Sequence, residues 1–72
     1  MQALTATHLK LGQKIKLLRK ELNLTQENLA EEVDVDRSYM GFVERGEKNP
    51  TLFTLMKISK ALKVPLKELL DF

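Results

Sequence analysis

An all-α domain is the fold that this sequence predicts, on three observations. Apolar residues recur at intervals of three and four along most of the chain, the spacing that lines one face of a helix. Residues suited to cap a helix N-terminus, Thr25, Asp36 and Thr51, stand where such runs begin. Aromatic residues make up only 6% of the chain while Leu and Lys are abundant, which suits a helical protein. At 72 residues there is room for a single domain spanning 1–72. A chain of this size buries only about 60% of its unfolded surface, so pairing with a second copy would add useful burial.

Met1 to Thr7 carries no clear pattern and reads as a flexible arm. From about His8 to Glu21, the residues Leu11, Ile15, Leu18 and Leu22 mark the apolar face of a first helix. Thr25 caps a second helix opening at Gln26, in which Leu29, Ala30 and Val33 share a face and Glu27 lies near the positive end of the helix dipole. Asp34 and Val35 make the turn, and Asp is among the residues that tolerate a left-handed backbone. Asp36 caps a third helix starting at Arg37, with Met40 and Val43 facing inward and Gly46 suited to end it. Glu47-Lys48-Asn49-Pro50 is a turn-rich loop. Thr51 caps a fourth helix, whose stripe is Leu52, Leu55, Ile58 and Leu62 and which ends near Lys63. Pro65 suits the first position of a short fifth helix, and Leu66, Leu69 and Leu70 close the core. Phe53, Met56 and Phe72 fall off these stripes; they either form a dimer patch with the fourth and fifth helices or complete the monomer's core.

The stretch from Thr25 to Gly46 therefore reads as two helices joined by a tight turn, the arrangement that lays its second helix in a DNA major groove. A helix of purely structural duty would show solvated Lys and Glu on its outer side. The third helix offers Arg37, Ser38, Tyr39, Gly41, Phe42 and Arg45 instead. Arg37 can fork onto O6 and N7 of a guanine. The Ser38 and Tyr39 hydroxyls can reach a base edge or a phosphate. Phe42 either packs on a thymine methyl group or covers the edge of the core. Gly41 costs a helix roughly 1 kcal/mol against Ala, which implies that something approaches the backbone there. Arg45, Lys48 and Asn49 are placed to hold phosphates, the bland alternative being ordinary solvated loop residues. Ala30 supplies a small residue where two helices cross.

The net charge is only +2, but its distribution is uneven. Residues 1–20 hold five basic groups and no acidic one, residues 21–36 hold six acidic groups and no basic one, and the remainder is again mainly basic. A molecule so divided can turn a basic side to phosphates, although a set of solvated faces accounts for the charges equally well. No Cys is present, which excludes a disulfide framework or a thiolate metal site and fits a reducing, cytoplasmic setting. No apolar run approaches the roughly 20 residues of a membrane span, and the N-terminus lacks a signal-peptide core. His8, the only histidine, has no partner at metal-ligand spacing and reads as a surface residue. Neither a nucleophile-base pair nor a phosphate-cradling glycine loop is legible, so the sequence speaks against an enzyme and calls for no cofactor.

Taken together, Leu24-Thr25-Gln26, Leu29-Ala30, Val35, Arg37-Ser38, Glu44-Arg45-Gly46 and Asn49-Pro50 resemble the helix-turn-helix of the Cro and phage-repressor family. The likeness continues through Leu52, Leu55, Ile58, Ala61, Leu62 and Val64 to Leu69 and Leu70, and so covers about residues 9–70. It implies a compact five-helix, lambda-repressor-like domain that binds an inverted-repeat DNA operator as a homodimer and regulates transcription, with RNA polymerase a candidate further partner. It also implies a buried ion pair between Arg19 and Glu44, a phosphate contact from Gln26, and a dimer interface in the fourth and fifth helices. Two positions depart from the family's pattern: Asp34 where Gly or Asn is usual, and Phe42 where a polar residue is commoner. Within the family, Asp36-Arg37-Ser38-Tyr39, Gly41 and Glu44-Arg45-Gly46 are most similar to controller proteins of restriction-modification systems, which regulate their own operon. Prophage-type repressors carry similar strings. From another class, an antitoxin-like or adaptor module would use the same helices to bind protein rather than DNA.

Overall fold

A computed structural model of the chain describes residues 5–72. Five helices follow one another with no strand among the described residues: α1 (Ala6–Glu21), α2 (Gln26–Val33), α3 (Arg37–Glu44), α4 (Leu52–Ala61) and α5 (Leu66–Leu69). The first opens earlier than its apolar spacing suggests, because the Thr5 hydroxyl accepts the His8 N–H at 3.2 Å and caps it. Ala6 and Thr7 thus belong to α1 rather than to an arm, and the rest of the expected arm, residues 1–4, lies outside the described residues. His8 Nδ1 also lies 2.6 Å from the Thr5 hydroxyl, which gives the only histidine a part in this cap.

Capping is uneven at the other N-termini. Thr25 and Asn28 form a reciprocal box, the Thr25 hydroxyl accepting from the Asn28 N–H and the Asn28 amide oxygen accepting from the Thr25 N–H. Thr51 caps α4 by accepting from the Thr54 N–H. Asp36 has the extended backbone of a cap but makes no side-chain cap bond.

The four longer helices all end in one way. A residue turns left-handed just past each helix, Asn23, Asp34, Gly46 and Lys63 with φ of 59, 63, 76 and 63°. The following N–H then reaches back to the last turn: Leu24 to the Arg19 carbonyl, Val35 to Ala30, Glu47 to Phe42, Val64 to Ser59. In three of the four, the residue after the turn is apolar (Leu24, Val35, Val64) and packs against the core. Glu47 is the exception. Gly46 has a second reason to lack a side chain, since a Cβ there would meet the Leu9 Cα of α1 at 2.9 Å.

Every helix contributes to the core. Ile15, Leu29, Val33, Met40, Val43, Ile58, Leu62 and Leu69 are essentially solvent-free, each worth about 1.5–3 kcal/mol of burial. Three leucines expected inside are not there. Leu22 is the C-cap of α1 and is half-exposed, while Arg19 occupies the buried position of that turn. Leu52 is 63% exposed, because Leu55, Ile58, Ser59 and Leu62 define the buried arc of α4 and Leu52 falls on its flank. Leu70 is the C-cap of α5 and turns outward.

The tightest packing joins α1 to α3. Gly12 is buried at the crossing, and a Cβ there would stand 2.5 Å from the carbonyl oxygens of both Val43 and Glu44. Val43 and Glu44 are the last two residues of α3, so Gly12 sets how close that helix's C-terminal end comes to α1. Among the described residues no helix is long and apolar enough to cross a membrane.

Candidate nucleic-acid interface

The α2–α3 unit holds its outer face by means of a charged network behind it. Glu44 closes α3 with a side chain only 2% exposed. Its Oε2 accepts from Arg19 Nε at 2.7 Å and its Oε1 from Arg19 Nη2 at 3.0 Å, a two-pronged fit of guanidinium to carboxylate. Arg19 Nη1 donates to the Leu24 carbonyl at 2.7 Å, and Gln26 Nε2 donates to Glu44 Oε1 at 2.9 Å. One carboxylate therefore ties α1, the start of α2 and the end of α3 together. Among the described residues no buried side-chain nitrogen or oxygen is left without a partner, so the desolvation of this pair is offset.

That network decides what Gln26 can do. Expected to reach out to a phosphate, its amide is half-buried and engaged with Glu44. The backbone at the same place stays available, because the cap at Thr25 takes the Asn28 N–H and leaves those of Gln26 and Glu27 without helical partners. Lys20, Asn23 and Arg37 line an open groove that runs past this helix end.

On α3, Arg37 and Ser38 are exposed and Tyr39 is half-buried against the core. Phe42 is 38% exposed. The Arg45 guanidinium lies 5.0 Å from the centre of its ring and Lys48 Nζ 5.8 Å from it. Arg45 Nε also donates to Glu47 Oε1 at 3.1 Å. What approaches the bare backbone of Gly41 is again Arg45, whose Nη1 would be 3.1 Å from a Cβ at that position. A helical side chain leans toward its own N-terminus, and Gly41 leaves Arg45 the space to do so. Asn49 is exposed in the loop that follows.

This geometry sets the sign of one substitution. Gly41→Ala is expected to stabilise the fold by up to about 1 kcal/mol, the difference in helix propensity, because the one neighbour that must give way is the end of the flexible Arg45 side chain, and Gln26 Oε1 at 3.6 Å is an ordinary contact. A thermal melt checks it; a lower midpoint would mean that Arg45 cannot give way.

The residues expected at a dimer interface separate into two places. Phe53 and Met56 stand 68% and 50% exposed on α4 with Leu52 beside them, and Lys57 Nζ lies 5.3 Å from the Phe53 ring centre. Phe72 lines a groove with Lys14 and Leu17 of α1, which groups it with that helix rather than with α4. Sequence reasoning missed Gly12 and Glu47. An isolated Gly inside an amphipathic pattern was the available signal for Gly12; nothing comparable marked Glu47.

A family model described as helix-turn-helix matches residues 15–69. The control protein C.BamHI of Bacillus amyloliquefaciens is 48% identical over 62 residues, which are 85% of this chain and 76% of that protein. The crystal structure of the restriction-modification controller protein C.AhdI from Aeromonas hydrophila is similar at a TM-score of 0.88 and 42% identity, over 90% of this chain and 98% of that one. The biofilm master regulator SinR, solved in complex with DNA, is similar at a TM-score of 0.80 and 40% identity, over 85% and 98% of the two chains.

Proposed function

The chain belongs to the helix-turn-helix family, and from that premise we propose that it is a sequence-specific transcription regulator of the restriction-modification controller type. It binds an inverted-repeat operator as a homodimer and acts on its own operon. The observation that carries this reading is the outer face of α3. Eight residues make a helix about 12 Å long, close to the width of the major groove. That face presents Arg37 and Ser38 to solvent and is anchored from behind by the Arg19–Glu44 pair.

In this mechanism Arg37 reads a base edge, Ser38 and Tyr39 follow it or grip the backbone, and Arg45, Lys48 and Asn49 hold phosphates beyond the end of α3. At the start of α2 the free N–H groups of Gln26 and Glu27 receive a phosphate, while the Gln26 side chain fixes the spacing of that end from α3. The domain measures 27 × 24 × 21 Å, and half-site centres one helical turn apart lie about 34 Å from each other. Two copies are therefore required to read both halves, and Leu52, Phe53 and Met56 supply an apolar contact between them.

Selection of random-sequence duplexes at near-physiological salt tests the reading. An inverted repeat with half-sites one turn apart supports it; failure to retain any duplex would point to a protein-binding module instead. Within that assay, Arg37→Ala is expected to relax the preference at one base pair and cost about 1–3 kcal/mol on the selected site. Lys48→Ala is expected to weaken all sequences alike and flatten the salt dependence by about one unit. If both variants weaken every sequence equally, Arg37 is not a base reader.

A further inference from the structure

We propose that Phe42 is the platform of a phosphodiester clamp, with Arg45 and Lys48 as its two cationic arms and Glu47 as the carboxylate that holds Arg45 until a DNA phosphate displaces it. This rests on the DNA-binding reading above and assigns roles within it that the residues alone did not suggest. Phe42 was open to a thymine contact, and Glu47 had no role.

Three observations carry it. First, a ring with a guanidinium 5.0 Å and an ammonium 5.8 Å from its centre is occupied as a cation platform. Two like charges gathered at one ring repel, and the negative face of the ring together with a nearby anion relieves that repulsion. Second, the anion in the free protein is Glu47, 3.1 Å from Arg45 Nε. A carboxylate and a phosphate offer a guanidinium the same pair of acceptor oxygens, so one can replace the other. Third, Glu47 breaks the rule followed at the other helix ends. Leu24, Val35 and Val64 hold the matching place as packed apolar residues, whereas Glu47 spends that place on Arg45. The pair is open to exchange, with side chains 54% and 32% exposed.

The test is a double-substitution cycle on affinity for random-sequence duplex, joined to a thymine-to-uracil scan of the selected operator. Glu47→Gln is expected to tighten binding about two- to fivefold, the span of an exposed ion pair, and to have no effect in an Arg45→Ala background. Tightening that persists without Arg45 makes Glu47 a bulk charge and overturns the proposal. Phe42→Leu is expected to weaken all duplexes alike and make the salt dependence shallower, with no operator position at which loss of the thymine methyl matters to the native protein alone. One such position would make Phe42 a base reader and overturn the clamp. In the free protein, the Arg45 and Lys48 methylene protons are expected to carry a ring-current shift that Phe42→Leu abolishes; unshifted protons in the native protein count against the platform. Absence of any duplex binding by the native protein would sink the DNA reading and the clamp together, whereas duplex binding with additive substitutions sinks the clamp alone.

Discussion

Gly12→Ala is expected to lower the thermal midpoint by about 8–16 °C, although on an open helix the same change would raise it. The added Cβ would sit 2.5 Å from two backbone oxygens, those of Val43 and Glu44, and backbone cannot swing aside as a side-chain end can. Either α1 lifts from α3 or the end of α3 unwinds. Overpacking of this kind costs about 3 kcal/mol, against the gain of about 1 kcal/mol that Ala brings over Gly in a helix. The net loss is a large part of the roughly 4–11 kcal/mol that holds a domain this small, and about 4–8 °C accompanies each kcal/mol. Circular dichroism melts of Gly12→Ala beside Gly41→Ala make the comparison internal, since the two are expected to move in opposite directions. A midpoint at or above the native one for Gly12→Ala would show that the α1–α3 contact is looser than the geometry indicates.

Arg19→Ala is expected to cost about 3–5 kcal/mol, the penalty for leaving a buried charge without its partner. Glu44 would keep only the Gln26 amide, in a place where its side chain is 2% exposed, and the Leu24 carbonyl would lose its side-chain donor. Lys20→Ala, one residue along and exposed, is expected to stay within about 0.5 kcal/mol. Arg19→Lys keeps the charge but not the fork, and falls between them. Urea midpoints of the three variants decide it, and similar midpoints for Arg19→Ala and Lys20→Ala would show that water reaches Glu44. Because Glu44 also holds Gln26, the loss should extend to the spacing between the start of α2 and the end of α3.

The fold was legible because its determinants are local. Thr25, Thr51, Gly46 and the three-four spacing within each helix, Leu29 to Val33, Met40 to Val43 and Leu55 to Ile58 and Leu62, act within a turn or two of themselves. The errors came where a helix ends. Periodicity carried Leu22 and Leu70 inward, but the chain leaves the helix at those residues and turns their side chains out. Leu52 matched the apolar spacing of α4 yet lies on the flank of its buried arc, where spacing of three and four cannot distinguish an edge from a centre. The candidate interface could be drawn up from the sequence as a list of side chains, but not as an arrangement. Arg45, Phe42 and Lys48 each stood out by type, but their stacking depends on the direction in which Arg45 folds back, over the Phe42 ring and against the bare backbone of Gly41. Gln26 stood out as a donor, and only the assembled network shows that Glu44 already receives it.

Three of the four left-handed corners described above are made without glycine, by Asn23, Asp34 and Lys63. A left-handed backbone costs residues with a side chain roughly 1–2 kcal/mol, somewhat less for Asn and Asp. Those corners therefore constitute a reserve of mutational tolerance. A descendant that relieved one of them by a single change to glycine could then accept a destabilising residue on α3 and still fold. On the proposed reading a new operator would be read by new side chains on that helix, and the strained corners then bear on how readily such a regulator can diverge to recognise a different site.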